Sequence, residues 1–153
     1  MRIVDFVRPE LVVPELVAET KPALIEELAA RLAEGVPALK REVLARALSD
    51  REKLASTAID QGVAIPHAKI RDVSQLVALV ARKPAGIDFD SMDGKPTHLF
   101  FVLVAPENST GIHLKALARI SRLFRDPSFR QRLMEAPDAA ALYQIIADED
   151  AKH

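Results

Sequence analysis

The stretch Arg51–Ile70, which reads REKLASTAIDQGVAIPHAKI, contains the residues of this chain that are best placed to do chemistry. Within it, Val63–Ile65 is a short apolar run that predicts a strand, and Pro66 follows directly. Proline has no amide hydrogen and restricts the residue before it to extended conformations. We therefore expect His67 to be presented at a rigid strand exit, where a single imidazole can act as a nucleophile.

Three further histidines differ in what their positions predict. His113 follows Ser109-Thr110-Gly111-Ile112 and falls in the first turn of a predicted helix. Free amide hydrogens and the positive end of the helix dipole favour an anion and a neutral imidazole there. The open alternative is that His113 only caps or lines the helix start. His98 begins an apolar strand and is expected to be a hydrogen-bonded structural residue, and His153 is expected to lie in a frayed end.

Several common site types are unsupported. The chain has no cysteine, which excludes disulfides, thiolate metal sites and cysteine nucleophiles. The histidines are widely spaced and form no HxxxH or HExxH pair, so a metal site is weakly supported. A triad of Ser56, Asp60 and His67 lacks the GxSxG context, and neither GxxxxGK[ST] nor GxGxxG is present to cradle a nucleotide.

A lone histidine nucleophile is what remains. A neutral imidazole is nucleophilic near neutral pH and can accept a phosphoryl group without a general base or a metal. Such a site needs positive charge and hydrogen-bond donors for the phosphoryl oxygens. Arg51 and His113 are the candidates for these roles, if the fold brings them beside His67.

Composition limits the partners and the location. The 153 residues suit a single domain over residues 1–153 with a substantial core. The net charge of −1 leaves no basic footprint for nucleic acid or an anionic membrane. The longest apolar run, Leu99–Ala105, is far too short to span a bilayer, and Asp5 and Arg8 interrupt the N-terminal apolar patch. We expect a soluble, cytoplasmic protein.

Two amphipathic helices are predicted before the histidine stretch. Thr20 is the expected cap of the first helix, and Gly35 is its expected end. Pro37 is expected to open the second helix, which would carry Lys40, Arg41 and Arg46 on its solvent side. The residues expected to face inward from that region are Leu39, Val43, Leu44, Ala47 and Leu48.

Three more helices are predicted after the apolar strands. The first runs from about Ile112 to Arg125. Its expected buried stripe is Leu114, Leu117, Ala118, Ser121 and Phe124. Asp126-Pro127 and Pro137-Asp138 are expected helix starts, because an acidic cap beside proline is typical of them.

The strands lie between these helices. Leu76–Ala81 and Thr97–Ala105 are almost wholly apolar, which predicts interior strands covered on both faces. Ile87–Asp90 alternates apolar and acidic residues, as a half-exposed strand does. Helices come first, strands in the middle and helices last, so we predict an α/β fold, a three-layer sandwich with a central sheet flanked by helices.

The motifs around His67 also carry a family resemblance. REK, then LAST, then GVAIPHA, resembles in residue type and spacing the segment around the phosphorylated histidine of enzyme IIA domains of the bacterial phosphoenolpyruvate-dependent phosphotransferase system. The similarity is to the fructose/mannitol class and extends over roughly residues 4–148. GIHLKALARISRLFRD resembles the second-histidine helix of that class, and RQRLMEAPDAAALYQII resembles its nitrogen-regulatory branch.

The resemblance implies roles for individual residues. His67 would accept the phosphoryl group through Nε2, His113 would help to hold it, and Arg51 would supply positive charge. Ser56 and Thr57 match the loop beside the site and would donate hydrogen bonds. The resemblance also implies a mixed central sheet, no cofactor and no metal, and a small histidine-phosphocarrier protein as the donor.

Three functions stay open on the sequence. The favoured one is a phosphotransferase, a phosphoryl carrier that acts in nitrogen or metabolic regulation through protein partners. The first alternative is a fructose- or mannitol-type sugar-uptake component that passes the phosphoryl group to an enzyme IIB. The second is a regulatory binding module that works without phosphorylation.

Overall fold

A computed structural model of the chain describes residues 1–71 and 73–153. The strands in this part of the chain are β1 (Val7–Val13), β2 (Ala58–Ile59), β3 (Val63–Ala64), β4 (His67–Ile70), β5 (Val77–Ile87) and β6 (Thr97–Pro106). They form one sheet in the order β1-β5-β6-β3-β2, and β4 also pairs with β6. β5 is antiparallel to β6, whereas β3 and β4 are parallel to it, so the sheet is mixed.

Helices cover both faces of this sheet. They are α1 (Lys21–Gly35), α2 (Arg41–Leu54), α3 (Thr110–Leu123), α4 (Pro127–Glu135) and α5 (Ala139–Ala151), and a short 3-10 turn, Ile3–Asp5, precedes β1. Successive side chains of a strand point to opposite faces. In β6, Phe100 and Val102 pack with α1 and α2, whereas Phe101 and Leu103 pack with α3, α4 and α5. The prediction of a three-layer α/β sandwich is confirmed.

Local capping signals located three helix starts correctly. The Thr20 hydroxyl accepts the amide of Ala23 at the start of α1. Asp126 and Asp138 accept backbone amides in the first turns of α4 and α5, at 2.9 and 2.8 Å. These caps satisfy amides that have no partner within the helix, which explains why they can be predicted from a few neighbouring residues.

The start of α2 differs from the prediction. The helix begins at Arg41 and not at Pro37, because a turn closed by the Leu39 amide on the Val36 carbonyl, at 2.9 Å, precedes it. Val43 was expected inside and is 52% exposed. Leu44 and Leu48 form the buried face of the helix. Val43 is one residue away from Leu44 in the sequence, so its side chain points away from that face.

The buried face of α3 is also rotated from the predicted one. His113, Ala116, Ile120 and Leu123 are buried, whereas Leu114 is 59% exposed and Ala118 is exposed. The prediction followed the bulky leucines. The small side chain of Ala116 instead lies in the core cluster with the sheet residues, which lets the helix approach the sheet closely. As a result His113 faces inward and Leu114 faces solvent.

The half-exposed strand predicted over Ile87–Asp90 is wrong, because residues 88–90 are not in a strand and only Ile87 belongs to β5. β5 extends past the other predicted strand, Leu76–Ala81. It runs on to Ile87, and its register with β6 shifts between Arg82 and Ile87. Gly86, at φ +80°, makes this irregularity possible, and a Cβ there would lie 2.7 Å from the His98 ring. His98 Nδ1 lies 3.2 Å from the carbonyl oxygen of Pro84, so its expected structural role is confirmed.

Within the described ranges 1–71 and 73–153, no helix is both long enough and apolar enough to cross a membrane.

Candidate functional site

His67 lies at an interruption in the sheet. β3 and β4 pair with β6 in one continuous register, with Val63 opposite Leu99 and His67 opposite Leu103. Ile65 and Pro66 break the strand between them, because Pro66 has no amide hydrogen to donate. His67 is therefore the first residue of β4. The expectation that it sits at the exit of the preceding strand is corrected to this entry position, because the chain resumes pairing immediately after the proline.

The two ring nitrogens of His67 have different partners. Nδ1 lies 2.8 Å from the carbonyl oxygen of Ile65, and the Nε–H of Arg51 donates to Nε2 at 3.2 Å. A carbonyl oxygen can only accept and a guanidinium can only donate. Nδ1 must therefore carry the proton and Nε2 must present its lone pair. In this tautomer Nε2 is the ring nitrogen that has a lone pair to offer an electrophile.

The ring is also neutral at physiological pH. Burial lowers the pKa of His67 below its ordinary value of 6.5, and the positive charges of Arg51 and Lys69 lower it further. The hydrogen bond to Ile65 and the charge of Glu52 act in the opposite direction, but the net pKa shift is downward. A neutral imidazole keeps the lone pair that a nucleophile needs.

Arg51 reaches this ring from the last turn of α2, which packs against β4. Its Nη1 donates to the carbonyl of Ala55 at 2.9 Å, just beyond the helix end. That bond orients the guanidinium while its Nε faces Nε2. A planar cation held in this way is suited to an anionic group attached to Nε2.

His113 lies in the first turns of α3, which packs on the opposite face of the sheet from α2. Its ring centroid lies 5.2 Å from that of His67, although the two residues are far apart in sequence. The side chain is only 5% exposed, and within the part of the chain that the structure describes its Nδ1 meets no hydrogen-bond partner. A buried polar atom without a partner is rare and is suited to receive a ligand atom. Burial, with added repulsion from His67 and Lys69, lowers the pKa of His113 to about 4.

Lys69 is a site residue that the sequence reasoning missed. It lies two residues after His67 on β4, so its side chain emerges on the same face of the strand. Its Nζ donates to the hydroxyl of Thr110, the first residue of α3, at 2.9 Å. Side chains two residues apart on a strand share a face, so a strand that begins at His67 would have predicted Lys69 beside it.

Ser56 and Thr57 are placed differently from the other predicted residues. The Ser56 hydroxyl donates to the carbonyl of Phe89 at 2.7 Å, and the buried Thr57 hydroxyl bonds to the carboxylate of Glu52. Both hydroxyls are thus engaged away from His67. Their role toward a phosphoryl group stays a prediction.

An open cleft of about 580 Å³ exposes the reactive side of this arrangement. Its polar groups come from Asp50, Arg51, His67, Lys69 and His113, and its apolar wall is formed by Ala47, Leu54, Ala68, Leu114 and Leu117. The Asp50 carboxylate lies 3.7 Å from the ammonium of Lys53, which offsets its negative charge. Among residues 1–71 and 73–153, no group of three or more histidine, aspartate or glutamate side chains is arranged to hold a metal ion. The cleft can bind an anionic electrophile between two cations and a nucleophilic nitrogen.

The buried, neutral His113 predicts acid-sensitive stability. The unfolded chain protonates this side chain near pH 6.5, but the folded chain does so only near pH 4. The unfolded state therefore binds more protons between these values. The stability that depends on neutral His113 is complete above pH 6.5 and is lost as the pH falls to 4, by on the order of 2–3 kcal/mol.

Urea unfolding of the wild type and of His113→Gln at about pH 7.5 and about pH 4.5 measures this effect. The wild type should lose more unfolding free energy between the two pH values than the variant does. Equal losses would show that His113 is not the titrating group.

Comparisons with known proteins agree with the geometry. A family model described as "Phosphoenolpyruvate-dependent sugar phosphotransferase system, EIIA 2" matches residues 5–149. A nitrogen regulatory protein of Bradyrhizobium diazoefficiens is 45% identical over 147 residues, covering 96% of this chain and 95% of that protein. The PTS system fructose-specific EIIA component of Haloferax volcanii is 34% identical over 139 residues, covering 91% of this chain and 90% of that protein.

The fold is similar as well. The crystal structure of the nitrogen regulatory protein IIA-Ntr from Neisseria meningitidis matches with a TM-score of 0.87 at 34% identity, and the match covers 94% of this chain and 98% of that one. The similarity thus extends over nearly the whole length of both chains.

Proposed function

Because this chain belongs to the EIIA type 2 family of the phosphoenolpyruvate-dependent sugar phosphotransferase system, we propose that it is a phosphoryl carrier that accepts a phosphoryl group on Nε2 of His67. Two hydrogen bonds of the His67 ring support this proposal best. Nδ1–H donates to the Ile65 carbonyl and the Arg51 Nε–H donates to Nε2, so the proton is on Nδ1 and the lone pair is on Nε2. Family membership makes the chain a phosphotransferase-system component. The donor and the acceptor atom are our proposals.

The proposed reaction is a direct transfer between two histidines. The Nε–H of Arg51 first releases Nε2, because the lone pair that accepts its hydrogen bond is the one that reacts. This lone pair then attacks the phosphorus of a phosphohistidine on a histidine-phosphocarrier protein. A new P–N bond forms, the donor's P–N bond breaks, and the donor imidazole takes up that electron pair. The proton on Nδ1 of His67 stays in place, and the positive charge that the phosphorylated ring gains is stabilised by the Ile65 carbonyl.

The surrounding cations then hold the product. The Nε–H of Arg51, released from Nε2 for the attack, donates to a phosphoryl oxygen of the product. His113 and Lys69 line the same cleft and contribute a ring nitrogen and an ammonium group. Ser56 and Thr57 could donate hydrogen bonds to the phosphoryl group only if their hydroxyls left Phe89 and Glu52. We therefore propose that these two residues stabilise the phosphoryl group less than Arg51, Lys69 and His113 do.

A protein donor suits the rim of the cleft. Leu54 is 81% exposed and Leu114 faces solvent on the opposite wall. Exposed apolar side chains of this size beside a reactive group are typical of a surface that another protein covers.

We propose that the chain works in the cytoplasm as a single domain over residues 1–153, without cofactor or metal.

Incubation of the chain with phosphoenolpyruvate, enzyme I and the histidine-phosphocarrier protein tests this function. Intact mass spectrometry at alkaline pH should show the gain of one phosphoryl group. Omission of the carrier protein is the control and should prevent the gain. An unchanged mass in the complete mixture would overturn the proposal.

We further propose that the phosphorylated site regulates protein partners in nitrogen metabolism. Support comes from the nitrogen regulatory protein that is 45% identical over nearly its whole length. A phosphoryl group adds about −1.5 to −2 charge to the face around His67, which is enough to create or block docking. Partner pull-downs with wild type, His67→Ala and His67→Asp should differ. Identical pull-downs would favour a binding module that works without phosphorylation.

A sugar-uptake role is the second candidate, because a fructose-specific EIIA component is 34% identical to this chain. In that case the phosphorylated chain should pass its phosphoryl group to an enzyme IIB. Mixing the purified phosphorylated chain with candidate IIB proteins and measuring both masses distinguishes the two. Rapid transfer to a IIB would favour sugar uptake over regulation.

A further inference from the structure

Glu52 is a buried carboxylate that the proposed phosphoryl transfer does not itself use. It follows Arg51 in the last turn of α2, and its side chain is only 3% exposed. Its oxygens accept the amide of Thr57 at 3.0 and 3.2 Å and also the hydroxyl of Thr57. The ammonium of Lys21 lies 3.3 Å away. A carboxylate is buried at a cost unless it is paired and hydrogen-bonded, so three donors converging on one side chain indicate a specific task.

The residue that Glu52 holds is connected to His67 through the backbone. The carbonyl of Thr57 accepts the amide of Ile65 at 3.1 Å, and the carbonyl of Ile65 accepts Nδ1–H of His67 at 2.8 Å. Ile65 lies in the break between β3 and β4, where it has no ladder partner of its own in the described sheet. Pro66 makes the link to His67 stiff. A shift of Thr57 is therefore transmitted to the carbonyl that orients the imidazole.

We propose that Glu52 is a positioning residue for His67, because by holding Thr57 it fixes the Ile65 carbonyl that keeps the proton on Nδ1 and the lone pair on Nε2. This inference rests on the proposed role of His67 as the phosphoryl acceptor. Glu52 and Arg51 are consecutive residues of one helix. Arg51 binds one ring nitrogen directly, and Glu52 controls the partner of the other.

This arrangement also explains how the loop between α2 and β2 is held. The Thr57 side chain, whose donation to a phosphoryl group stays a prediction, anchors this loop to Glu52 in the unphosphorylated protein. Lys21 reaches the same carboxylate from α1 and lies 4.5 Å above the ring of Phe89, so its charge is held in place. Residues of α1, of α2 and of this loop are thus linked to the hydrogen bond that orients the His67 imidazole.

The first test reads the ring of His67 without any phosphoryl transfer. Long-range ¹H–¹⁵N correlation spectra of the unphosphorylated protein should show His67 protonated on Nδ1 in the wild type. Glu52→Gln removes the charge and one acceptor, so we expect a mixture of the two tautomers. Glu42→Gln is the matched control, since Glu42 is exposed on the same helix, and it should keep the wild-type ring spectrum.

The second test measures the rate of phosphorylation at saturating carrier protein. A misplaced imidazole should lower this rate roughly 10- to 100-fold in Glu52→Gln and leave the concentration of carrier needed for half-saturation unchanged. Thr57→Val should act in the same direction, because it keeps the shape but loses the hydroxyl. Thr57→Ser restores the hydroxyl and should behave as the wild type does.

The outcomes separate this inference from the proposed function. A folded Glu52→Gln with the wild-type tautomer and rate would overturn the positioning role. If Glu52→Gln does not fold, the Thr57 pair decides, and a folded Thr57→Val with an unchanged His67 tautomer overturns it equally. If the wild type accepts no phosphoryl group, the proposed function fails, while the tautomer comparison still determines whether Glu52 positions His67.

Discussion

Replacing His67 by glutamine should abolish phosphoryl acceptance and leave the protein folded. The glutamine amide has no nucleophilic lone pair, so no P–N bond can form at this position. Its NH₂ group can still donate to the Ile65 carbonyl, and the side chain is only half-buried, so the loss of stability should be small. We expect the rate of phosphorylation to fall by at least roughly 10⁴-fold, as when a nucleophile is removed from other enzymes.

Intact mass after incubation with phosphoenolpyruvate, enzyme I and the carrier protein measures this loss. His98→Gln is a suitable control, because His98 lies at the start of β6 with its ring against Gly86 and should not affect transfer. Circular dichroism checks that both variants are folded. A phosphoryl group on folded His67→Gln would move the acceptor to another residue, with His113 as the first to examine.

Loss of the Arg51 guanidinium should be the second largest effect. Arg51→Met keeps the length of the side chain but removes the donor that faces Nε2 at 3.2 Å. The charge that develops on the transferred group then lacks its closest cation. Removal of one such preorganised donor typically costs about 10²- to 10³-fold in rate, and we expect a loss in this range.

Arg51→Lys tests whether charge or geometry matters. Lysine restores the positive charge but not the planar donor that also bonds to Ala55, so its rate should lie between those of wild type and Arg51→Met. Arg46→Met is the matched control, since Arg46 is exposed on the same helix. Single-turnover phosphorylation with saturating carrier provides the rates. A wild-type rate in Arg51→Met would show that the guanidinium serves only the structure.

Arg51, Lys69 and His113 are expected to contribute unequally to the rate of phosphorylation. Arg51 contacts the reacting nitrogen itself, whereas Lys69 is bonded to Thr110 in the unphosphorylated state. His113 is neutral at physiological pH and can contribute hydrogen bonding but little charge. This ranking explains why Arg51 carries the larger prediction.

Much of the fold followed from local chemistry in the sequence. The side chains that cap helices act within three residues, so Thr20, Asp126 and Asp138 identified three helix starts. The apolar run of β6 identified a central strand, because only a strand covered on both faces is apolar at every position. The resemblance to the enzyme IIA family, carried by the residues around His67, is confirmed.

Two of the predictions that failed depended on the direction of a helix face. Val43 and Leu114 are apolar residues adjacent to buried ones, and a one-residue rotation of the helix exposes them. The sequence of α3 permits either rotation. Close packing of Ala116 on the sheet decides it and turns His113 inward, which no local pattern indicates.

By itself the sequence was enough to propose His67 as the nucleophile, because the other site types lack their motifs and the segment around His67 carries the family resemblance. Only the tertiary structure decided the tautomer and the charge of that histidine. The tautomer depends on Ile65 and Arg51 facing opposite ring nitrogens, and the neutral charge depends on burial beside cations from separate elements. Hydrogen bonds and electrostatic interactions of this kind act over a few ångströms in space, so residues distant in the chain enter them only when packing has brought their helices and strands together.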